Sequence, residues 1–319
     1  MQMDISVIVC TYNRCENLKM LVNSLEGLKD VQTISWELIV VDNNSNDRTK
    51  AFVDDLIKAG HIRIKYIFEG RQGKSFALNA GIKSAEGEII AFLDDDGIVT
   101  PLWLACLVKE FRKDPTCAGI GGRVELYDPR DKPITIRTLK EEIYLSSSEQ
   151  LFCLIPGCNM AFIRRVFQEV GNFDVRFGPG ATIPSAEDSD FIYRVYKNGF
   201  RILYSPNVVI YHNHGRRTDS QVDILTKEYI AGRGSFYCKH ILEGDFETLK
   251  MAYWEIAALI RTLSNNPRDR ALRCKSVEHM QGLLAGSRLY LKARLGSFKN
   301  NIWQCLARKI FPMPLQRDH

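Results

Sequence analysis

The chain has 319 residues, 45% of them apolar and 25% charged, enough to bury a sizeable core and too apolar for global disorder. Its formal charge of +5 is uneven: from Arg268 to His319 there are eleven Lys/Arg against three Asp/Glu, so a mildly acidic body carries a basic tail. No uncharged apolar run reaches the roughly 18 residues that a spanning helix needs; the nearest, "MAYWEIAALIRTL", is interrupted by Glu255 and Arg261.

The first predicted element is "ISVIVCTYN", a continuous apolar run closing on polar residues, as in a strand buried on both faces. "RCENLKMLVNSLEGL" follows with Leu18, Leu21, Val22 and Leu25 at helical spacing. "WELIVVDNNSND" is a second apolar run, and "RTKAFVDDLIKAG" a second helix, with Gly60 placed to end it. "IRIKYIF" alternates like a strand, "GKSFALNAGIKSA" reads as a helix, and "EIIAFLDDDG" as another buried strand. This alternation predicts a parallel α/β sheet, in which ligands sit beyond the carboxyl ends of the strands. "TYNR", "DNNSND" and "DDDG" should therefore meet at one edge. "PLWLACLVKEFRKDP" and "NMAFIRRVFQEVG" read as helices, and "FGPGATIPSAEDSD" as a loop leading into the helical "DFIYRVYKNG". "RILYSPNVVIYHNHG" reads as strand, turn and strand, and the pattern is helical beyond about Arg216.

Nine scattered cysteines without a CxxC pair exclude a disulfide framework and a zinc knuckle, and fit a reducing compartment. The stretch "MQMDISVIVC" shows no signal peptide, so a cytoplasmic location is expected. No nucleic-acid partner is expected.

The chemistry concentrates at the strand ends. Asp94, Asp95 and Asp96 are three adjacent carboxylates and need a cation, with Mn²⁺ or Mg²⁺ the hard ions that oxygen ligands take. His212 and His214 close an apolar strand and offer an imidazole to such a site; His212 is the expected ligand, His214 the alternative. Glu187, Asp188 and Asp190 stand at a loop-to-helix entry, where they fit a general base or a simple helix cap built on Ser185 or an Asp. Arg71 and Lys74 can neutralise a diphosphate by charge. "GKS" is not a phosphate-binding P-loop, because Phe68 stands where that motif needs its first glycine. No GxGxxG follows the first strand, which excludes a nicotinamide-type dinucleotide site.

"SVIVCTYNR", "VVDNNSND", "GKSFALNAGIKSAEGEIIAFLDDDG", "EDSDFIYRVYKNGFRILY" and "VIYHNHG", in this order and over roughly residues 4 to 215, resemble the family 2 glycosyltransferases. The resemblance implies a GT-A fold over 1–215, a mainly parallel central sheet flanked by helices, with a helical extension over 216–319. It implies inverting transfer of a sugar from a nucleotide diphosphate-sugar, UDP favoured, to a glycan, lipid-linked or protein acceptor in polysaccharide or glycoconjugate synthesis. By the same resemblance Thr11, Tyr12, Asn13 and Arg14 line the nucleotide pocket and Asp42 meets the base. Asp94 or Asp95 holds the ribose, Asp96 and His212 the metal, and Asp188 is the catalytic base beside Glu187. Gly157 and Asn159 frame donor sugar and acceptor. Leu78 stands where many relatives carry Arg, which leaves the phosphates to Arg71 and Lys74; no QxxRW motif is present, which argues against a processive synthase.

Two rivals remain at this stage: a nucleotidyltransferase, which usually carries a Gly-rich basic loop after its first strand, and a non-catalytic sugar-nucleotide-binding module, which needs no base. From Met280 the apolar positions Leu283, Leu284, Leu291, Leu295, Phe298, Ile302, Leu306 and Ile310 alternate with Arg and Lys. That pattern fits a helix packed within the protein, against a second subunit as a homo-oligomer, or on the inner face of a membrane.

Overall fold

The computed structural model describes residues 3–310, without the side chains at 149, 151 and 297–310. The side chains of the predicted tail positions Phe298, Ile302, Leu306 and Ile310 thus lie outside what is described. The chain divides into two compact units, Met1–Tyr229 and Ile230–His319.

The first unit opens with the alternation read from the sequence: β1 Ile5–Thr11, α1 Cys15–Glu26, β2 Trp36–Asp42, α2 Thr49–Ala59, β3 Ile64–Phe68, α3 Lys74–Ser84 and β4 Ile89–Asp94. Gly60 ends α2 in the left-handed region, at φ 71°, where a residue without Cβ is unstrained. It continues with β5 Gly97–Val99, α4 Trp103–Lys113, β6 Cys117–Leu126, β7 Ile143–Tyr144, the short α5 Leu151–Leu154, β8 Asn159–Ile163, α6 Arg164–Val170, α7 Glu187–Lys197 and β9 Arg201–His212. The sheet order is β3-β2-β1-β4-β8-β6-β9-β5, with β7 beside β9. Strands β1 to β4 pair in parallel; β8 then runs antiparallel between β4 and β6, and β5 antiparallel to β9.

Strands β1 and β2 are mainly apolar because both faces are covered, and the buried exceptions in their interior, Ser6 and Glu37, are hydrogen-bonded to each other at 2.7 Å. Val7, Val9, Leu38 and Val40 pack on Leu18, Leu21, Leu25 and Val53 of α1 and α2. Ile8 and Val41 point the other way and meet α3 at Gly81, where a Cβ would lie 2.7 Å from Ile8. Burying such side chains contributes about 1.5–3 kcal/mol each, so the alternation fixes the sheet and the polar strand ends are left at its rim.

Two local readings are corrected. "NMAFI" is the strand β8 and only "RRVFQEV" is helical; so short a run, four apolar residues after Asn159, carries no period that separates strand from helix. The strand fits because its neighbour β6 is glycine-rich, and a Cβ at Gly119 would lie 2.5 Å from Phe162. The turn expected at "SPN" is instead an irregularity within β9, where the pairing to β6 jumps from Gly122–Ser205 to Arg123–Val209.

In the second unit, α8 Asp219–Leu242, which begins before its boundary, is followed by α9 Phe246–Asn265 and α10 Arg270–Ile310. Asp245 caps α9, accepting hydrogen bonds from the Glu247 and Thr248 amides at 2.9 and 3.1 Å. Close approach of α8 and α10 depends on glycine: a Cβ at Gly286 would overlap the Ala231 carbonyl, and one at Gly234 would lie 2.1 Å from that of Leu283.

Candidate active site

Parallel register aligns the ends of β1, β2 and β4, with Thr11 opposite Asp42 and Cys10 opposite Asp94. The three aspartates then diverge, each with its own partners. Asp94 receives Lys74 Nζ at 2.7 Å. Asp95 accepts from Thr11 Oγ1 at 2.8 Å and pairs with Arg14 at 2.9 Å. Asp96 pairs with the other Arg14 nitrogen at 3.0 Å and faces His212 Nε2 at 3.1 Å. Burial pushes the Asp95 carboxyl up to about 7, against the pull of Arg14. Burial works the same way on Asp96, but His212 and Arg14 overcome it and hold that carboxyl below the ordinary range. The run of like charge is stable because two cations and an imidazole are built around it.

Strand β5 pairs Gly97 with His212, and the Asn213 amide donates to the Asp96 carbonyl at 2.8 Å, so backbone as well as side chains lock the aspartate loop to β9. Oxygens of Asp94 and Asp96 and a ring nitrogen of His212 lie within 4.8 Å of one another. The hydrogen bonds around His212 test this as a metal site. Thr135 Oγ1 donates its one proton to the Ile134 carbonyl at 2.6 Å and so accepts from His212 Nδ1 at 3.0 Å. With a proton on Nε2 the 3.1 Å contact is a hydrogen bond to the Asp96 carboxylate, and loss of that proton frees Nε2 as a ligand beside the same oxygen. The donor set fits a divalent ion of the Mn²⁺ or Mg²⁺ kind. Thr135 holds φ 58°, a strained conformation for a β-branched residue.

His214 lies just past the end of β9, its ring edge-on to His212 at 5.2 Å. Its Nδ1 accepts from the Arg216 amide at 3.0 Å, which leaves the proton of the neutral ring on Nε2, buried without a hydrogen-bond partner. Burial pushes this imidazole below its ordinary value. A protonated Nε2 donates and does not ligate, so the local hydrogen bonds distinguish the two histidines.

Helix α7 carries Glu187 and Asp188 into the site. Phe191, four residues on, stacks on Phe167 and Phe173 at 5.1 and 4.5 Å, which fixes the helix beneath the sheet. The expected side-chain cap is absent: Ala186 occupies that position at φ 71°, and the Ser185 hydroxyl donates instead to the Glu228 carbonyl at 2.8 Å. Glu187 is buried 3.4 Å from Lys74 Nζ. Burial pushes its carboxyl up to about 7, against Lys74. Burial also works against the charge on Lys74, yet Asp94 and Glu187 prevail and hold its pKa well above the ordinary value. This lysine bridges β4 and α7. Asp188 Oδ1 accepts from the Ser189 amide at 2.7 Å. The carboxylate fits against the preceding loop only because residue 157 is glycine, where a Cβ would lie 2.3 Å from Asp188 Oδ2. Gly157→Ala should therefore displace Asp188 and lower turnover about a hundredfold, the cost of a misplacement near 1 Å. Steady-state kinetics beside a nucleotide titration checks this; unchanged turnover would detach Asp188 from the chemistry.

The other candidates fall into two groups. Asp42 is buried, accepting from the Ser45 amide and the Tyr66 hydroxyl, both at 2.8 Å. Tyr12, next in sequence to Thr11, is exposed, and Asn13 Oδ1 accepts from the Asn46 amide at 2.8 Å, so the β1 and β2 loops are joined. Arg71 and Asn159 are engaged elsewhere. Arg71 is bound to Glu69 at 2.7 Å and lies 4.5 Å over Phe76. The Asn159 amide is buried, donating to the Arg123 and Val208 carbonyls and accepting from Trp103 Nε1 at 2.9 Å. Two residues escaped the sequence reading. Thr135 lies in the unassigned stretch between 119 and 155. Asn43 holds the loop before α3 by donating to the Arg71 carbonyl at 2.7 Å and accepting from the Gly73 amide at 2.9 Å; its place in "VDNNSND" was the available signal.

The helix-flanked α/β sheet, with acidic, basic and imidazole groups gathered beyond its strand ends, has the GT-A fold, and comparison with known proteins agrees. The family model for Glycosyl transferase family 2 matches residues 6–171, and the chain belongs to that family. It is 31% identical over 180 residues, 54% of each chain, to an uncharacterized glycosyltransferase of Nostoc sp.. It is 27% identical, over 65% of this chain and 67% of the other, to the GalNAc(5)-diNAcBac-PP-undecaprenol beta-1,3-glucosyltransferase of Campylobacter jejuni. The fold matches that of a mannosyltransferase from Pyrobaculum calidifontis solved with GDP-Man and Mn²⁺, at TM-score 0.63 and 20% identity, over 91% of this chain and 88% of the other. The chain spans about half the length of the first curated relatives it matches.

Proposed function

We propose that the protein is an inverting, divalent-metal-dependent transferase that moves a sugar from a nucleotide diphosphate-sugar, with UDP the favoured nucleotide, to a hydroxyl acceptor. The observation that carries this is the convergence of the Asp94–Asp96–His212 cluster and Lys74 with Asp188, which the Gly157 cradle and the Phe191 stack hold in place. In this reading residues 1–215 form the catalytic part and 216–319 a helical accessory part. Thr11, Tyr12, Asn13 and Asp42 receive the nucleoside, Asp94, Asp96 and His212 hold the ion, and Lys74 faces the diphosphate. Arg14 and Asp95 keep the aspartate loop in shape. The ion, when bound, supplies Lewis-acid stabilisation of charge on the leaving diphosphate; the imidazole ligand favours Mn²⁺ over Mg²⁺. The acceptor oxygen attacks the anomeric carbon, its proton passes to Asp188, and the C–O bond to the diphosphate breaks with its electron pair leaving on the diphosphate. A single displacement inverts the anomeric centre.

The acceptor class we favour is a lipid-linked glycan of cell-surface or glycoconjugate synthesis, because the Campylobacter relative is named for an undecaprenol-linked substrate. The setting proposed is the cytoplasm. The testing experiment is release of nucleoside diphosphate from a panel of UDP-, dTDP- and GDP-sugars, with Mn²⁺, with Mg²⁺ and with chelator. Slow metal-dependent hydrolysis of one donor is expected. Release of pyrophosphate from a nucleoside triphosphate and a sugar phosphate would favour a nucleotidyltransferase, and tight binding without any release a non-catalytic module.

A further inference from the structure

Helix α9 is apolar on two sides. Thr248, Met251 and Ala252 are buried within the second unit. Its outward side carries Phe246, Leu249, Tyr253, Ile256 and Ile260, separated by three, four, three and four residues and all exposed. Phe246 is 78% exposed, Tyr253 62% and the adjoining Trp254 59%. That spacing draws one straight stripe along a helix, and a contiguous apolar stripe left in water marks an interaction surface.

The charges around the stripe choose the partner. The exposed charged residues of α9 are Lys250 and Arg261; Glu247 and Glu255 are more withdrawn, and Glu255 is tied to Arg233 at 3.1 Å and His279 at 2.7 Å. Residues 230–319 hold fifteen Lys/Arg against seven Asp/Glu, and Arg288, Lys292 and Arg294 of α10 are exposed. A second copy would set two such basic units against each other, with no exposed acid on α9 to meet Lys250 and Arg261. An anionic bilayer supplies the opposite charge, and its interface favours Trp and Tyr side chains. No described helix is long and apolar enough to cross a membrane, so contact through α9 is contact along the surface.

We propose that the Phe246–Ile260 face of α9 docks on an anionic lipid surface, the helix lying in the interface plane with its aromatic side chains inserted and Lys250 and Arg261 at the headgroups. This does not depend on donor or acceptor identity, and it can fail while the transferase reading stands.

Flotation of the full chain reads it directly. The protein should rise with vesicles of phosphatidylglycerol and phosphatidylcholine in equal parts and stay down with phosphatidylcholine alone. Phe246→Ser with Trp254→Ser should lower the bound-to-free ratio about tenfold or more, given the apolar area withdrawn. Lys250→Glu with Arg261→Glu should lower it at least tenfold as well, about what two basic contacts supply. Circular dichroism and thermal midpoints verify folding, and the charge pair, on exposed side chains, serves if the aromatic pair does not fold. A parent chain that floats with neither vesicle would overturn the proposal, as would variants that float like the parent. So would a parent that is dimeric in solution while the aromatic variant is monomeric, since the face would then belong to a second copy.

Discussion

Replacing Asp188 by Asn is expected to lower turnover by about 10²–10⁴-fold, the usual contribution of a positioned general base. Nucleotide affinity should change little, because Asp188 lies on α7 whereas the residues proposed to receive nucleoside and metal sit at the ends of β1, β2, β4 and β9. The amide keeps the shape of the carboxylate and can still accept from the Ser189 amide through its oxygen, so the fold has no reason to move. The measurement is kcat for donor hydrolysis or transfer beside a calorimetric titration of the nucleotide. Near-normal turnover would remove Asp188 from the role of base; equal losses of affinity and turnover would make it a binding residue.

The second large effect is expected at Asp96. Its carboxylate is buried and joins Arg14, His212 and the candidate metal position, so Asp96→Ala removes a ligand and strips two cationic or imidazole groups of their partner. Changes to groups that merely orient ligands cost 10–100-fold in metal affinity; loss of the ligand itself should lower metal-stimulated nucleotide binding by more than about a hundredfold. Chelation of the parent should reproduce that loss, and metal added to the variant should not restore it. Equal nucleotide affinity with and without Mn²⁺ in the parent would sink the metal assignment. A stability loss should accompany the variant because the position is buried, so the chelation arm, which leaves the chain unaltered, decides between a folding defect and a missing ligand.

How far the sequence disclosed this structure depended on the range of the interactions involved. The strands β1, β2 and β4 were legible because burial on both faces demands mostly apolar runs, and their polar ends advertised the rim. The three aspartates were legible because adjacent like charges at the end of a buried strand require compensation. What compensates them was only half legible: Lys74 is visible as a charge near a loop, but Arg14 reaching across to Asp95 and Asp96 depends on the register of β1 against β4. Thr135 was invisible, since its value lies in contacting His212 seventy-seven residues away, from a segment with no period. Strand β8 was misread because four apolar residues fit either element, and the glycines of β6 that make room for it are about forty residues upstream. Asn159 looks like a pocket residue in sequence, yet its amide ties β6, α4 and β9 together.

The proposed mechanism makes one stereochemical commitment that no structural role can imitate. Once the panel identifies the donor, proton NMR of the transfer product, followed from the earliest turnovers, reads its anomeric configuration directly. A single displacement with Asp188 as base predicts a product inverted relative to the nucleotide sugar. A product that first appears with the donor's own configuration would contradict the account.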